Sequence, residues 1–311
     1  MSPAVFDPET DGISDATWLA LLDKTSEGGR YFFSENQLYL GYARNKVEVT
    51  RFIARRGVIG LVMMVSGLAT WMYALKADWG LTLVLGIAVT LGGVGLVGTG
   101  VVTRRAPAAR EPLSGWLAKW TAQRGLEKLL GAPSLDGSPL DATPPGVACL
   151  LIVERDELVD LLIKNGAESE LSASIVAESG YPSQRLTEAV VLLRERSELP
   201  VLVLHDATPA GVALPARLRK SSLFALAERP LLDAGLFPAD VTWLAELAPA
   251  IPAGHTQRVP ADSLSYRALI LGLRGVLAGA PSLVRGIEEG SDAHAEPPEP
   301  SAELQGSHGA A

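Results

Sequence analysis

Two acids stand directly after short apolar runs: Glu154 follows VACLLIV (147–153), and Asp206 follows VLVLH (201–205). If both runs are parallel strands, each delivers its acid to the same carboxyl-terminal rim of a sheet, where α/β proteins gather their chemistry. Two carboxylates converging there form a donor set for a hard divalent cation such as Mg2+. The bland alternative makes each acid a helix N-cap, a role that suits Asp206 well and Glu154 poorly. His205, beside Asp206, reads either as a site residue or as the last strand residue bonded to backbone. Cys149, the only cysteine, lies inside the first run and reads as a small core residue. A single cysteine excludes an intramolecular disulfide, and with four scattered histidines it leaves no zinc-ligand spacing.

The elements that must position these residues alternate. After VACLLIV, residues 155–164 place Leu158, Leu161 and Leu162 on one helix side. SASIVAE (172–178) predicts a weaker strand. Gln184–Ser197 predicts a helix through Leu186, Val190 and Leu193. VLVLH is the next buried strand, followed by a loop over Asp206–Gly211 and a helix over Val212–Leu218. Strand–helix alternation of this kind predicts an α/β domain with a mainly parallel sheet over 147–287. A further helix, SLSYRALILGLRGVLAG, is expected to start from Asp262 or Ser263 as cap.

Outside that domain the 311 residues divide by charge and hydropathy. Residues 1–56 are a short acidic segment ending in the basic stretch Arg44, Lys46, Arg51, Arg55 and Arg56. Trp18, Leu19, Leu21 and Leu22 predict one short helix there, with Asp15 as cap. Residues 57–103 hold two uncharged runs, Gly57–Leu75 and Trp79–Thr103, separated by Lys76-Ala77-Asp78. About 20 helical residues cross the hydrocarbon core of a bilayer, so both runs predict membrane spans joined in a tight hairpin. Neither span holds an internal ionisable group, and the hairpin reads as an anchor, not a transport path. Basic flanks on both sides place both termini in the cytoplasm and the protein in the inner membrane. The glycines of the second run serve either packing within the hairpin or homo-oligomerisation. In 104–146, an amphipathic helix around 113–131 lies on the leaflet or on the following domain, and Ala132–Gly146 is a linker. The acidic tail 288–311 is expected to be disordered. The net charge of −8 does not favour nucleic acid as a partner. The basic cluster Arg217, Arg219 and Lys220, with Arg194 and Arg196, reads as solvated helix faces.

The order IVERDELVDLL, then AESGYPSQRLTEAVVLLRERSELPVLVLHDATPAG, resembles the Toprim domain, most closely the branch found in the A subunit of topoisomerase VI. Glu154 matches that family's strand-end Glu, Gly180-Tyr181-Pro182 its middle segment, and Asp206 the first Asp of its Asp-x-Asp-Pro-x-Gly motif. Pro209 and Gly211 match the last two motif positions, and LLDAGLFPADVTWL resembles the family's Leu-Gly-Leu-x-Pro-x-Asp segment. The resemblance implies a Toprim/Rossmann-like fold, a metal pair in Glu154 and Asp206, and cofactor contacts from Asp206, Thr208 and Gly211. The second Asp of the motif is Thr208 here, which removes one negative charge and weakens any Mg2+ site. The relatives also take a catalytic Tyr from a separate winged-helix domain, for which the region before Val147 leaves no room. Tyr181 reads as a turn or packing residue. The expectation is a membrane-anchored, non-catalytic Toprim-like domain that binds or scaffolds a cytosolic protein or ligand, with no cofactor or a weakly bound Mg2+. One alternative is a Mg2+-dependent phosphoryl-transfer or nuclease enzyme using Glu154 and Asp206. Another is a sensor of a nucleotide or other small ligand at the strand-end crevice.

Overall fold

The computed structural model describes residues 4–77, 87–91, 110–136, 140, 146–240 and 259–293. The chain divides into two compact units, Met1–Gly131 with Val241–Ser263, and Ala132–Asp240 with Leu264–Ala311.

The first unit is helical: α1 (Asp15–Thr25), α2 (Glu35–Ala77) and α3 (Arg110–Arg124). Its core is aromatic, with Phe6 stacked on Trp120 and edge-on to Trp18. Ser14, not Asp15, caps α1 by accepting from the Thr17 N–H at 3.2 Å. Asp15 instead turns its carboxylate to the Val5 and Phe6 N–H groups and pins the N-terminal segment. The amphipathic α3 buries Leu113 and Trp120 in this same core, and the Trp116 indole N–H donates to the Asp11 carbonyl.

The two-span expectation requires correction. Gly57–Leu75 is not a separate rod but the end of the 43-residue α2, whose earlier part carries Arg44, Lys46, Glu48, Arg51, Arg55 and Arg56. Trp79–Thr103 lies outside the described residues except for 87–91. Among the described residues no helix is long and apolar enough to cross a membrane, which overturns the inner-membrane, two-span location with both termini cytoplasmic.

The second unit is the expected α/β domain. Its elements run β1 (Cys149–Val153), α4 (Asp156–Lys164), α5 (Ala167–Leu171), β2 (Ala173–Ala177), α6 (Ser183–Glu195), β3 (Val201–Leu204), α7 (Pro209–Val212), α8 (Leu214–Lys220), β4 (Leu231–Asp233), α9 (Tyr266–Leu277) and α10 (Leu283–Ala293). The four strands form one parallel sheet in the order β2-β1-β3-β4. Every residue of β1, β2 and β3 is buried. That is why they read as continuous apolar runs: a parallel sheet covered on both faces has no solvent side for polar residues to alternate onto. Leu150, Ile152, Val201 and Val203 pack one face against Ala189 and Leu193 of α6 and Leu214 and Leu218 of α8. Each fully buried aliphatic side chain here contributes roughly 2 kcal/mol of burial free energy.

Three details depart from expectation. The cap of α9 is Ser265, which accepts from the Ala268 N–H. The chain from Glu288, expected to be disordered, continues α10 as far as Ala293. The first residues of the 132–146 stretch dock on the domain. There the Ser134 N–H and hydroxyl donate to Asp160, the Leu135 N–H donates to the Tyr181 hydroxyl, and Asp136 accepts from the Ser183 N–H.

Candidate functional site

Because all four strands are parallel, their carboxyl ends share one rim, which carries Glu178 after β2, Glu154 after β1, His205-Asp206 after β3 and Asp233 ending β4. The ladder extends one residue past the strands: the Glu154 N–H donates to the Leu204 carbonyl at 3.0 Å, and the Glu178 N–H to Val153 at 2.8 Å. This register sets the Glu154 side chain beside the β3 turn, where its Oε2 accepts from the Asp206 N–H at 2.8 Å. The two acids singled out from sequence therefore meet at one rim.

The turn after β3 is closed by its own groups. Asp206 does not cap a helix. Thr208 does, its Oγ1 accepting from the Gly211 N–H at 2.8 Å, with Pro209 at the first helical position. Gly211 is required by contact: a Cβ there would lie 2.2 Å from the Asp206 carbonyl oxygen and 2.7 Å from Glu154 Oε2. Outside this turn Arg217 grips Glu178 through Nε at 2.8 Å and Nη2 at 2.7 Å, and its Nη1 donates to the Ala210 carbonyl. The end of β2 is thereby tied to the same loop.

The Asp206 carboxylate faces Arg155, whose Nε lies 2.8 Å from Oδ2 and whose Nη2 lies 3.4 Å from Oδ1. The Asp206 side chain is 9% exposed and that of Arg155 28%. Sequence pattern alone makes Arg155 no more than the first residue of a helix. A signal was present: Arg155 is the N-cap of α4, and a cation at a helix N-terminus works against the macrodipole. Its position needed another reason, and Asp206 supplies it.

His205 is fully buried behind this layer. Its Nδ1 lies 2.8 Å from the Asp206 carbonyl and must donate to it. Its Nε2 is 3.0 Å from Asp233 Oδ1, which makes an ion pair when the ring is protonated. A Cβ on Gly235 would fall 2.1 Å from Nε2, and Phe237 meets the ring edge-on, so the imidazole is fixed on every side. Burial opposes its protonation, but Asp233, the Asp206 carbonyl and Glu154 together raise its pKa above the ordinary value. The expectation of a backbone-bonded strand-end histidine describes Nδ1. The partnership with Asp233 was not legible.

Neither the Cys149 thiol nor the Tyr181 phenol is activated as a nucleophile. Burial pushes the Cys149 thiol up to about 11. Burial, with the adjacent Asp160, also raises Tyr181, whose hydroxyl donates to Asp160 Oδ1 at 2.5 Å. The five cations named from sequence are in part committed internally: Arg196 donates to the Val147 carbonyl, and Arg219 to the Ala227 and Arg229 carbonyls.

A divalent cation does not fit this donor set as it stands. Glu154 Oε2 is engaged by the Asp206 N–H, both Asp206 oxygens face Arg155, and the Thr208 hydroxyl is turned to Gly211. Among the described residues no group of three or more His, Cys, Asp and Glu side chains is placed to hold a metal ion.

The family of Toprim domains found in the A subunit of topoisomerase 6 and in Spo11 matches residues 149–234. No curated protein and no solved structure matches the chain. The matched stretch begins at the first residue of β1 and ends one residue past β4, so it spans the whole sheet and its acidic rim. Residues 149–234 form a Toprim-like domain.

Proposed function

We propose that the Toprim-like domain is a non-catalytic module that binds or scaffolds a partner. The observation that carries this reading is the pairing of the Asp206 carboxylate with Arg155, beside a motif position where Thr208 supplies no charge. Metal-assisted phosphoryl transfer needs carboxylates free to hold the ion, and here both acids already have partners within the chain. The net charge of −8 and the internal use of Arg196, Arg217 and Arg219 argue further against a phosphate-backbone substrate.

The convergence of Glu154 and Asp206 favours one rival, a Mg2+-dependent phosphoryl-transfer or nuclease enzyme. A single assay separates them: incubation of the purified full chain with single- and double-stranded DNA in Mg2+ and in Mn2+, beside Glu154→Gln. Equal background from both proteins is the expected result. Cleavage by the wild type that Glu154→Gln abolishes would overturn the non-catalytic reading.

A further inference from the structure

We propose that α2 carries a self-association surface, and that two copies of this chain pair in parallel along Leu61, Val65, Leu68 and Met72. The inference concerns the helical unit and does not depend on the reading of the rim. These four side chains are 46–59% exposed. Steps of four, three and four residues separate them, so they form one stripe along the helix. Ile59, Val62 and Tyr73, 54–66% exposed, widen the stripe on one side. The other side of the same stretch is covered: Gly67 is buried, and Met63, Met64 and Thr70 are half-buried. The outward apolar surface is therefore an arc with definite edges and not the whole circumference of the helix.

The spacing identifies the occupant. Read as a heptad, Val65 and Met72 stand at a, and Leu61 and Leu68 at d; the sequence continues the register with Val58 at a and Leu75 at d. A β-branched residue at a with Leu at d favours two parallel strands. Such a stripe is complementary to itself, since in-register pairing sets each a against a and each d against d. The flanking e positions are Val62 and Ala69, and no charged residue stands between Gly57 and Leu75, so pairing buries no unpaired ion. The seven exposed side chains leave on the order of 700 Å2 of apolar surface uncovered, beyond the roughly 300–600 Å2 of a typical monomer's largest patch and close to the ~800 Å2 that each partner gives to a standard interface. So short a heptad run would fail between separate peptides, which must also form their helices from coil. Here the helix already exists: α2 is 43 residues long, and its first turns are held in the aromatic core through Leu38, Tyr39 and Leu40.

Sedimentation velocity of the full chain, in detergent-free buffer at micromolar concentrations, tests the pairing. The wild type is expected to sediment as a dimer. V65E/L68E sets like charges against each other across the seam and should raise the dimer Kd at least about tenfold. Both substitutions fall on exposed positions, so the circular dichroism of the variant should match the wild type. Ser66→Glu, exposed at an outer b position, should leave the dimer unchanged. Orientation is read from oxidative cross-linking of Leu61→Cys and Met72→Cys, each of which should link to its own counterpart. Ser66→Cys should not link, and the native Cys149 is buried and supplies only background.

A monomeric wild type at these concentrations overturns the pairing, and so does a V65E/L68E dimer as tight as the wild type. Assemblies larger than two overturn the two-strand seam. An antiparallel pair would link Leu61→Cys to Met72→Cys in a mixture while neither links to itself, which overturns the parallel register. A wild type that stays monomeric in buffer but floats with phosphatidylcholine vesicles, a behaviour lost in V65E/L68E, would give the face to lipid and not to a second copy. Should V65E/L68E fail to fold, the cysteine variants decide alone: absence of both the 61–61 and the 72–72 link refutes the seam.

Discussion

Two of the arginine–carboxylate assemblies of the α/β unit look alike on paper and differ in consequence. In the body of the domain, Arg185 of α6 is 1% exposed. It grips Glu168 of α5 through Nε at 2.7 Å and Nη2 at 2.8 Å, and reaches Glu188 through Nη1 at 2.9 Å. At the rim, Arg155 makes one close contact and one long one to Asp206, and remains partly in water. Burial opposes the charge on Arg185, yet the two glutamates outweigh it and raise its pKa further. Such a pair is matched to its surroundings only while both partners are present. The rim pair, open to solvent on one side, can change partners at lower cost. The first locks two helices; the second ties the start of α4 to the turn after β3.

The largest effect should come from breaking the buried assembly. Arg185→Met leaves the Glu168 carboxylate without its bidentate partner in a site where water cannot replace it. It should cost about 3–5 kcal/mol, read from urea unfolding followed by circular dichroism. Adding Glu168→Gln to Arg185→Met should return part of that loss. If it returns nothing, the cost lay in packing and not in charge.

Gly211→Ala sharpens the comparison by changing the rim without touching a charge. The new methyl would meet a backbone carbonyl and the Glu154 carboxylate, neither of which can move without disturbing the β3 turn. Overpacking of this kind costs about 1–3 kcal/mol, and a Tm indistinguishable from wild type would show that the turn is looser than its contacts imply. Arg155→Gln comes next. Partial exposure limits its direct cost to about 1 kcal/mol or less, and added salt should shrink the difference. A loss as large as that of Arg185→Met would make the rim pair structural and erase the contrast between the two assemblies.

What the sequence made legible follows the same division. Glu154 and Asp206 stood out because β1 and β3 are uninterrupted apolar runs, and an acid ending such a run is conspicuous. The strand β4 was invisible: three residues at the sheet margin, none fully buried, leave no pattern of period two or of continuous apolarity. Asp233 was lost with it, and so was the partner of His205. Nothing in the sequence singled out Arg155 or Arg185, because the carboxylates they grip, Asp206 and Glu168, lie far away in sequence. The run Gly57–Leu75 was legible as apolar, but its continuity with the charged start of α2 in one helix was not. The short helix near Trp18 was visible through its buried face, whereas its cap was misread by one residue, Asp15 in place of Ser14.

The smallest effect expected is a pH dependence from His205, which distinguishes a rim held by fixed charges from one that also titrates. The groups facing its ring are Asp233 from β4, Glu154 after β1 and the Asp206 carbonyl, with no cation among the partners that shift its pKa. With Nδ1 donating to that carbonyl, a neutral ring must turn the Nε2 lone pair toward the Asp233 carboxylate, an unfavourable contact that protonation converts to attraction. The folded-state pKa is therefore raised above the ordinary 6.5. A raised pKa means that the folded chain binds the proton more tightly than the unfolded chain does. The stabilisation is complete below the unfolded value and disappears as pH climbs through the folded one. Asp233→Asn removes the carboxylate charge beside Nε2; because the same Oδ1 also accepts from the Gly235 N–H, the amide either keeps that acceptor or turns its NH2 to the neutral ring. The stability of wild type relative to Asp233→Asn should accordingly be greatest in mildly acidic solution and decline as pH rises past neutrality, with the His205 ring resonances titrating above 6.5 only in the wild type. A difference that grows with pH would mean that folding lowers the His205 pKa instead, burial of the ring outweighing its acidic partners.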